Sequence, residues 1–354
     1  MPVSARLQAL WYRATPPPWW LRPLAWIFAL ILRIRRRAYT HGWLRAQGMS
    51  CPVIIVGNLT VGGSGKTPLV IWLTRELCAA GYTPGIVLRG YGGALSARGE
   101  VGFVESDSDP AQVGDEAVLL RRRAGVPVAV GADRVRAARL LVTSGVDVVI
   151  ADDGLQHLRL ARDVELIVVD GERGLGNGWL LPAGPLREPP ARLALASALI
   201  VNGPGQYWRS LATGCHRALP AMPPVLMQLR GEQLCAADGS GRTLPLAQLH
   251  GSRVHAVAGI GHPQRFFAQL RAAGIEPLEH AFADHHRFAA HEIEFADGLP
   301  VLMTEKDAVK CRGIAGLDCW YLPVSAAFEA TDAAALLDRL RRAMGSRVQH
   351  GSGE

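Results

Sequence analysis

The stretch Thr60-Val61-Gly62-Gly63-Ser64-Gly65-Lys66-Thr67-Pro68 carries chemistry in its spacing. Gly62, Gly63 and Gly65 let backbone N–H groups turn inward around phosphate oxygens. Lys66 follows where an ammonium reaches β- and γ-phosphates, and the Thr67 hydroxyl stands where such loops ligate Mg2+. The general pattern G-x-x-x-x-G-K-[ST] wants a glycine where this chain has Thr60, so the loop departs from it at its first position. Gly62 and Gly63 can supply the permissive backbone instead. Downstream, residues 146–151 form an apolar run that ends in Asp152-Asp153-Gly154. Two carboxylates at the end of a buried strand are costly without a compensating cation. Asp152 and Asp153 therefore join Thr67 as the expected Mg2+ ligands of a nucleotide site made by residues 60–67.

A phosphate loop needs a strand before it and a helix after it. Residues 52–57 are a short β-branched run between Pro52 and Gly57, which predicts a buried parallel strand. Residues 69–80 read as a helix with Gly81 just past its end. Further buried strands are expected at 85–88, 127–130, 146–151, 165–169 and 198–201, with helical patterns between several of them. Such alternation predicts an α/β fold, a phosphate-loop (RecA-like) core with a parallel sheet covered on both faces. Beyond residue 215 the pattern restarts, with strands expected at 225–229, 254–258, 300–304 and 319–323 and a helix at 263–273. These predict a second, smaller α/β domain. The resulting division is an N-terminal segment 1–45, a core 46–215, a smaller domain 216–330, and a helix with a frayed tail 331–354.

The charge of this 354-residue chain is uneven. The formal net charge is +7, yet no acidic residue precedes Glu76 while ten basic ones do, leaving 28 basic and 31 acidic residues in the remainder. A localised basic stretch points to an anionic partner, nucleic acid or membrane. Residues 24–32 are an unbroken apolar run, about 14 Å of helix, roughly half a hydrocarbon core. Arginines follow this run instead of preceding it, opposite to a signal peptide. Five of nine tryptophans (Trp11, Trp19, Trp20, Trp26, Trp43) lie in the same region. Tryptophan favours the membrane interface, and a greasy run has no role on a duplex, so a monotopic membrane-surface helix is expected and nucleic acid is not. Six cysteines without a CxxC pair read as thiols of a reducing compartment. Among 38 basic residues only Lys66, Lys306 and Lys310 are lysine, which marks them as places where a compact ammonium is wanted.

Several strings beyond the loop are unusual: GNLTVGGSGKTP, LRGYGG, VGDEA, GADR, ADDGLQH, LPAGPLREP, GIGHPQRFF, DHHRF and MTEKDAVK. Together, and in this order, they resemble the tetraacyldisaccharide 4′-kinase family, with similarity running from about residue 10 to 325. The family's own loop lacks the first glycine, so Thr60 is no departure there. Ala117 stands in VGDEA where proline is expected. The resemblance implies an ATP- and Mg2+-dependent lipid kinase that phosphorylates the 4′-hydroxyl of a tetraacylated glucosamine disaccharide 1-phosphate in lipid A synthesis. It implies that Asp115 takes the proton from the sugar hydroxyl and that His285 is paired with it. A free alcohol is a poor nucleophile, and a positioned base with charge neutralisation is what phosphoryl transfer requires. By the same similarity Asn58, Arg89, Tyr91, Gln156, His157, Arg187 and Glu188 help form the lipid site. The two prolines of LPAGPLREP hem Arg187 and Glu188 into a rigid loop. The implied place of work is the cytoplasmic face of the inner membrane, held through residues 1–45, with no obligate protein partner.

Two other readings compete. His280, Asp284, His285, His286 and His291 could form a metal site, with His280 and Asp284 on one helical face, although no familiar ligand motif fits. A phosphate-loop GTPase or metallochaperone-type switch at the membrane would carry a guanine-reading [NT]-K-x-D. Thr304-Glu305-Lys306-Asp307 places the lysine one position late.

Overall fold

The computed structural model describes residues 10–13, 15–203, 223–311 and 319–348. The expected boundary at residues 215–216 and the end of the C-terminal tail lie outside these residues. Two sheets organise the chain. The larger, nine-stranded sheet has the order β15-β8-β7-β6-β1-β5-β2-β4-β3. It comprises β1 (Val53–Gly57), β2 (Pro84–Leu88), β3 (Val101–Phe103), β4 (Val128–Gly131), β5 (Val148–Asp152), β6 (Val164–Asp170), β7 (Ala198–Asn202), β8 (Val225–Arg230) and β15 (Ser325–Ala327). The neighbours from β8 through to β4 pair in parallel, while β3 and β15 close the two edges antiparallel. Every residue of β1, β5 and β6 is buried, which is why these strands read as continuous apolar runs without alternation.

The second sheet has six strands in the order β10-β9-β14-β13-β11-β12. They are β9 (Gln233–Ala236), β10 (Thr243–Pro245), β11 (Arg253–Ala258), β12 (Glu276–Ala281), β13 (Val301–Thr304) and β14 (Cys319–Leu322). The Pro263–Ala272 helix buries Phe266, Phe267 and Leu270 against this sheet. The strand expected in the second unit at 225–229 instead joins the first sheet, parallel to β7. The chain returns to that sheet in β15, and the Ala330–Val348 helix places Leu336, Leu340 and Met344 in the first core. Pairing decides this, since β8 alternates buried and exposed residues and would suit either sheet. Two short crossings therefore join the units, between β8 and β9 and between β14 and β15. They touch, because a Cβ on Gly231 would lie 2.8 Å from the Pro323 carbonyl oxygen.

The Arg22–Thr40 helix stands apart from both cores. It buries Ala25 only, in a small cluster with Leu21 and Ala183. Trp26, Ile27, Leu30, Ile31 and Ile34 all face outward and are more than half exposed. Among the described residues, no helix is long and apolar enough to cross a membrane.

Candidate active site

Strand β1 delivers the chain into the glycine-rich loop, and Lys66 opens the Lys66–Ala79 helix. Gly65 caps that helix at φ 90°, in the left-handed region that side chains avoid. A Cβ there would also meet Asn202, whose amide Nδ2 donates to the Ser64 carbonyl oxygen at 2.9 Å. The end of β7 thus buttresses the loop from below. The helix N-terminus brings its dipole to the glycine-rich loop, which suits an anionic group.

Lys66 Nζ donates to Asn58 Oδ1 at 3.0 Å and lies 3.5 Å from Asp153 Oδ1. Arg187 grips Asp153 with both terminal nitrogens, at 2.9 and 2.8 Å, and also donates to the Asn58 side chain. Arg134 donates to the Asp153 carbonyl oxygen at 2.9 Å. Asp153 itself sits at φ 51°, a strained backbone for a non-glycine residue. Burial disfavours its charge, but Lys66, Arg187 and Arg134 outweigh that and hold the carboxyl well below the usual range.

Asp152 differs in every respect. It ends β5, is buried, and its Oδ1 has no hydrogen-bond partner among the described residues. Burial, and then the neighbouring charge of Glu116, push its carboxyl up to about 7. A buried carboxylate oxygen without a donor, on the strand paired with the one that leads into the glycine-rich loop, has the chemistry of a hard-cation ligand.

Asp115 opens the Asp115–Ala124 helix, preceded by Gly114 at φ 94°, where a Cβ would lie 2.8 Å from the Tyr91 carbonyl oxygen. His285 reaches it from the turn after β12, with Nδ1 3.0 Å from Asp115 Oδ2 and 3.2 Å from Oδ1. His285 is also at positive φ, 61°, and its ring packs on Tyr91 with centroids 5.1 Å apart. Burial works against the Asp115 charge, but the His285 hydrogen bond and the positive charges of Lys306 and Lys310 lower its pKa overall. The same hydrogen bond raises the pKa of His285. A cavity of about 580 Å³ lies against this pair, with Tyr91, Asp109, Arg122, Arg287 and Phe288 in its wall.

The remaining residues singled out in the sequence fall into two groups. Asn58 is fully buried inside the phosphate network, and Gln156 Nε2 donates to its carbonyl oxygen at 3.4 Å. Glu188 is buried beside Arg36 and Arg192, its Oε2 without a hydrogen-bond partner among the described residues, and burial raises its pKa. Burial and then Arg134 push His157 down to about 4, so its imidazole is neutral. Arg89 and Tyr91 are exposed at the rim. The histidine-rich run does not gather as one site. His280 lies on strand β12, not on a helix, and bonds His255 at 2.9 Å, while His286 pairs with Glu292. Sequence reading missed Arg134, Asn202 and the surroundings of Glu116. Arg134 was visible only as part of the string GADR, and nothing local marks Asn202 as the loop's support.

The model of the tetraacyldisaccharide-1-P 4′-kinase family matches residues 17–342. A tetraacyldisaccharide 4′-kinase of Alkalilimnicola ehrlichii is 50% identical over 329 residues, covering 91% of this chain and 93% of that protein. One from Xanthomonas axonopodis pv. citri is 48% identical over 345 residues, covering 96% and 97% respectively. Among solved structures, LpxK from Aquifex aeolicus in complex with ATP superposes with a TM-score of 0.71 at 26% identity, covering 91% of this chain and 98% of that one.

Proposed function

The chain belongs to the tetraacyldisaccharide-1-P 4′-kinase family, and from that premise we propose how its residues divide the work. It is an ATP-dependent phosphotransferase that moves the γ-phosphate of ATP to the 4′-hydroxyl of a tetraacyldisaccharide 1-phosphate in lipid A synthesis. The switch-type GTPase reading is not favoured, and the misplaced lysine of Thr304–Asp307 already spoke against it.

Residues 60–67 cradle the ATP phosphates. Lys66, which donates to Asn58 and lies beside Asp153, is the ammonium that would reach the β- and γ-phosphates. Asp152 and the Thr67 hydroxyl would hold Mg2+, which would supply charge neutralisation for the transferring phosphoryl group. Asp153 serves the same centre from behind, since Arg187 and Lys66 already occupy both its oxygens. Asp115, oriented by His285, accepts the proton of the 4′-hydroxyl as that oxygen attacks phosphorus in line. Arg89, Tyr91, Gln156, His157, Arg187 and Glu188 form the lipid-headgroup side.

The Arg22–Thr40 helix lies in the membrane surface at the cytoplasmic face of the inner membrane. Its outward row of Trp26, Ile27, Leu30, Ile31 and Ile34, followed by Arg35, Arg36 and Arg37, suits a bilayer interface with anionic headgroups. Four segments follow from this reading: the anchor at 1–45, the ATP-binding core from residue 46, the smaller unit now bounded by β9 and β14, and the returning strand and helix.

One observation carries the assignment of roles. The glycine-rich loop after β1, the orphaned carboxylate that ends β5, and Asp115 beside the loop after β2 all lie toward the C-terminal ends of one parallel sheet's strands, where α/β proteins bind their ligands, and His285 meets them there from the smaller unit. The test is Mg2+-dependent phosphate transfer from ATP to tetraacyldisaccharide 1-phosphate, with GTP and a soluble disaccharide as controls. Transfer from ATP to the lipid alone supports the assignment, and transfer to neither acceptor contradicts it.

A further inference from the structure

We infer that Lys306 is a positioning residue for phosphoryl transfer, an ammonium that bridges the two sheet-based units and fixes the Asp115–His285 pair in its proton-accepting arrangement. The inference rests on the reading of Asp115 as the base.

Lys306 leaves β13 on the Glu305–Cys311 helix, in the smaller unit. Its Nζ lies 3.0 Å from Glu116 Oε1, 3.1 Å from Asp284 Oδ1 and 3.5 Å from His285 Nε2. Glu116 belongs to the helix that Asp115 opens, in the larger unit, and Asp284 precedes His285 in the smaller one. One ammonium therefore ties together the immediate neighbours of both members of the pair. Its three N–H groups are matched by two carboxylates and an imidazole nitrogen, a convergent set that a planar guanidinium cannot serve from one point. This accounts for a lysine here in a chain whose other positive side chains are almost all arginine.

When the His285 ring is neutral, the contact favours one tautomer. A neutral His285 that donates Nδ1–H to Asp115 presents Nε2 as an acceptor, and Lys306 is the donor facing it. Without Lys306, Glu116 and Asp284 would leave two uncompensated carboxylates beside Asp115. The adjacent Glu305 pairs with Arg123, two turns along from Glu116 on the same helix, so consecutive residues of one unit pin one face of a helix in the other. Asp115 is faced by His285, Lys306 and Lys310, and His285 by Asp115, Asp284 and Lys306, with Arg122, Arg287 and Asp109 across the cavity.

The experiment compares Lys306→Met, Lys306→Gln and Asp115→Asn in the full-length enzyme, following kcat, KM for ATP and the pH profile of kcat/KM. Both Lys306 variants are expected to lose about 30-fold or more in kcat, with KM for ATP within about threefold of wild type. The acid limb of the profile should move to higher pH by about one unit, because the base loses a neighbouring positive charge. A purely structural role would lower activity without moving that limb. In the wild-type protein, 15N-labelled histidine spectra should report His285 as the Nδ1–H tautomer, a readout that does not depend on any variant folding. Unchanged kcat and pH profile in folded Lys306 variants, or an Nε2–H tautomer in the wild type, would overturn the inference. Near-wild-type activity of Asp115→Asn would instead remove the base assignment beneath it, so the two failures are distinguishable.

Discussion

His285 Nδ1 stands 3.0 Å from Asp115 Oδ2, although 170 positions separate the two residues and they belong to units built on different sheets. The pair is thus a clasp between units at the place proposed for proton transfer. The lowered pKa of Asp115 contributes stability that is present above the ordinary carboxylate value of 3.8 and is lost as pH falls through the depressed value. The raised pKa of His285 contributes stability that is present below the ordinary imidazole value of 6.5 and is lost as pH rises through the raised value. Both contributions coexist between those ordinary values. The melting temperature of His285→Ala should therefore fall below wild type by about 2 °C near pH 5.5, with the gap closing toward pH 9. A gap that widens with pH in scanning fluorimetry would contradict the clasp.

Gly65→Ala tests the support of the phosphate loop. The new Cβ would sit at φ 90° and press on Asn202 and on the Met227 side chain. A cost of about 1–3 kcal/mol is expected, together with an increase of about tenfold or more in KM for ATP. Equilibrium unfolding and initial-rate kinetics check both. Wild-type stability and KM would show that the loop does not depend on this conformation.

Asp152→Asn addresses the metal. Replacing the orphaned carboxylate by an amide removes a charged ligand while keeping its shape. The Mg2+ concentration for half-maximal activity should rise by about tenfold or more, with a smaller effect on ATP affinity measured without metal. An unchanged Mg2+ dependence would shift the metal assignment away from Asp152.

The exposed apolar face of the Arg22–Thr40 helix, proposed to lie in the membrane surface, gives a prediction that separates binding from folding. Ile27 is 56% exposed and Ile31 55%, so a double change to Glu disturbs no core. Co-sedimentation with vesicles of one-quarter anionic lipid should fall by about tenfold or more, while the melting temperature stays within about 1 °C of wild type. Full retention on vesicles would refute the anchor.

What the sequence disclosed follows from how far each signal travels along the chain. Buried parallel strands are contiguous apolar runs, so the strands expected at 85–88, 165–169 and 198–201 fall within β2, β6 and β7. Partnership between strands is not written locally. The run at 225–229 therefore looked like the start of a second unit, whereas its pairing with β7 keeps it in the first. Strand β12, Glu276–Ala281, went unread because its side chains are half polar and it lies at a sheet edge. The strand–loop–helix order around Gly62–Gly65, and an apolar strand closing on Asp152, were legible from spacing alone. Asp115 and His285 were legible only through resemblance, because neither neighbourhood announces the other. The scarcity of lysine did point to Lys306, but its partners Glu116 and Asp284 are brought to it only by the apposition of the two units.

Asp115, proposed as the group that takes the proton from the acceptor hydroxyl, is the residue on which phosphoryl transfer depends most. Single-turnover transfer from ATP with Asp115→Asn, at saturating Mg2+ and lipid, isolates that step from binding and product release. A fall of about 100-fold or more in the transfer rate is predicted, with ATP affinity by equilibrium titration within about threefold of wild type. Transfer at the wild-type rate by a folded Asp115→Asn protein would contradict it.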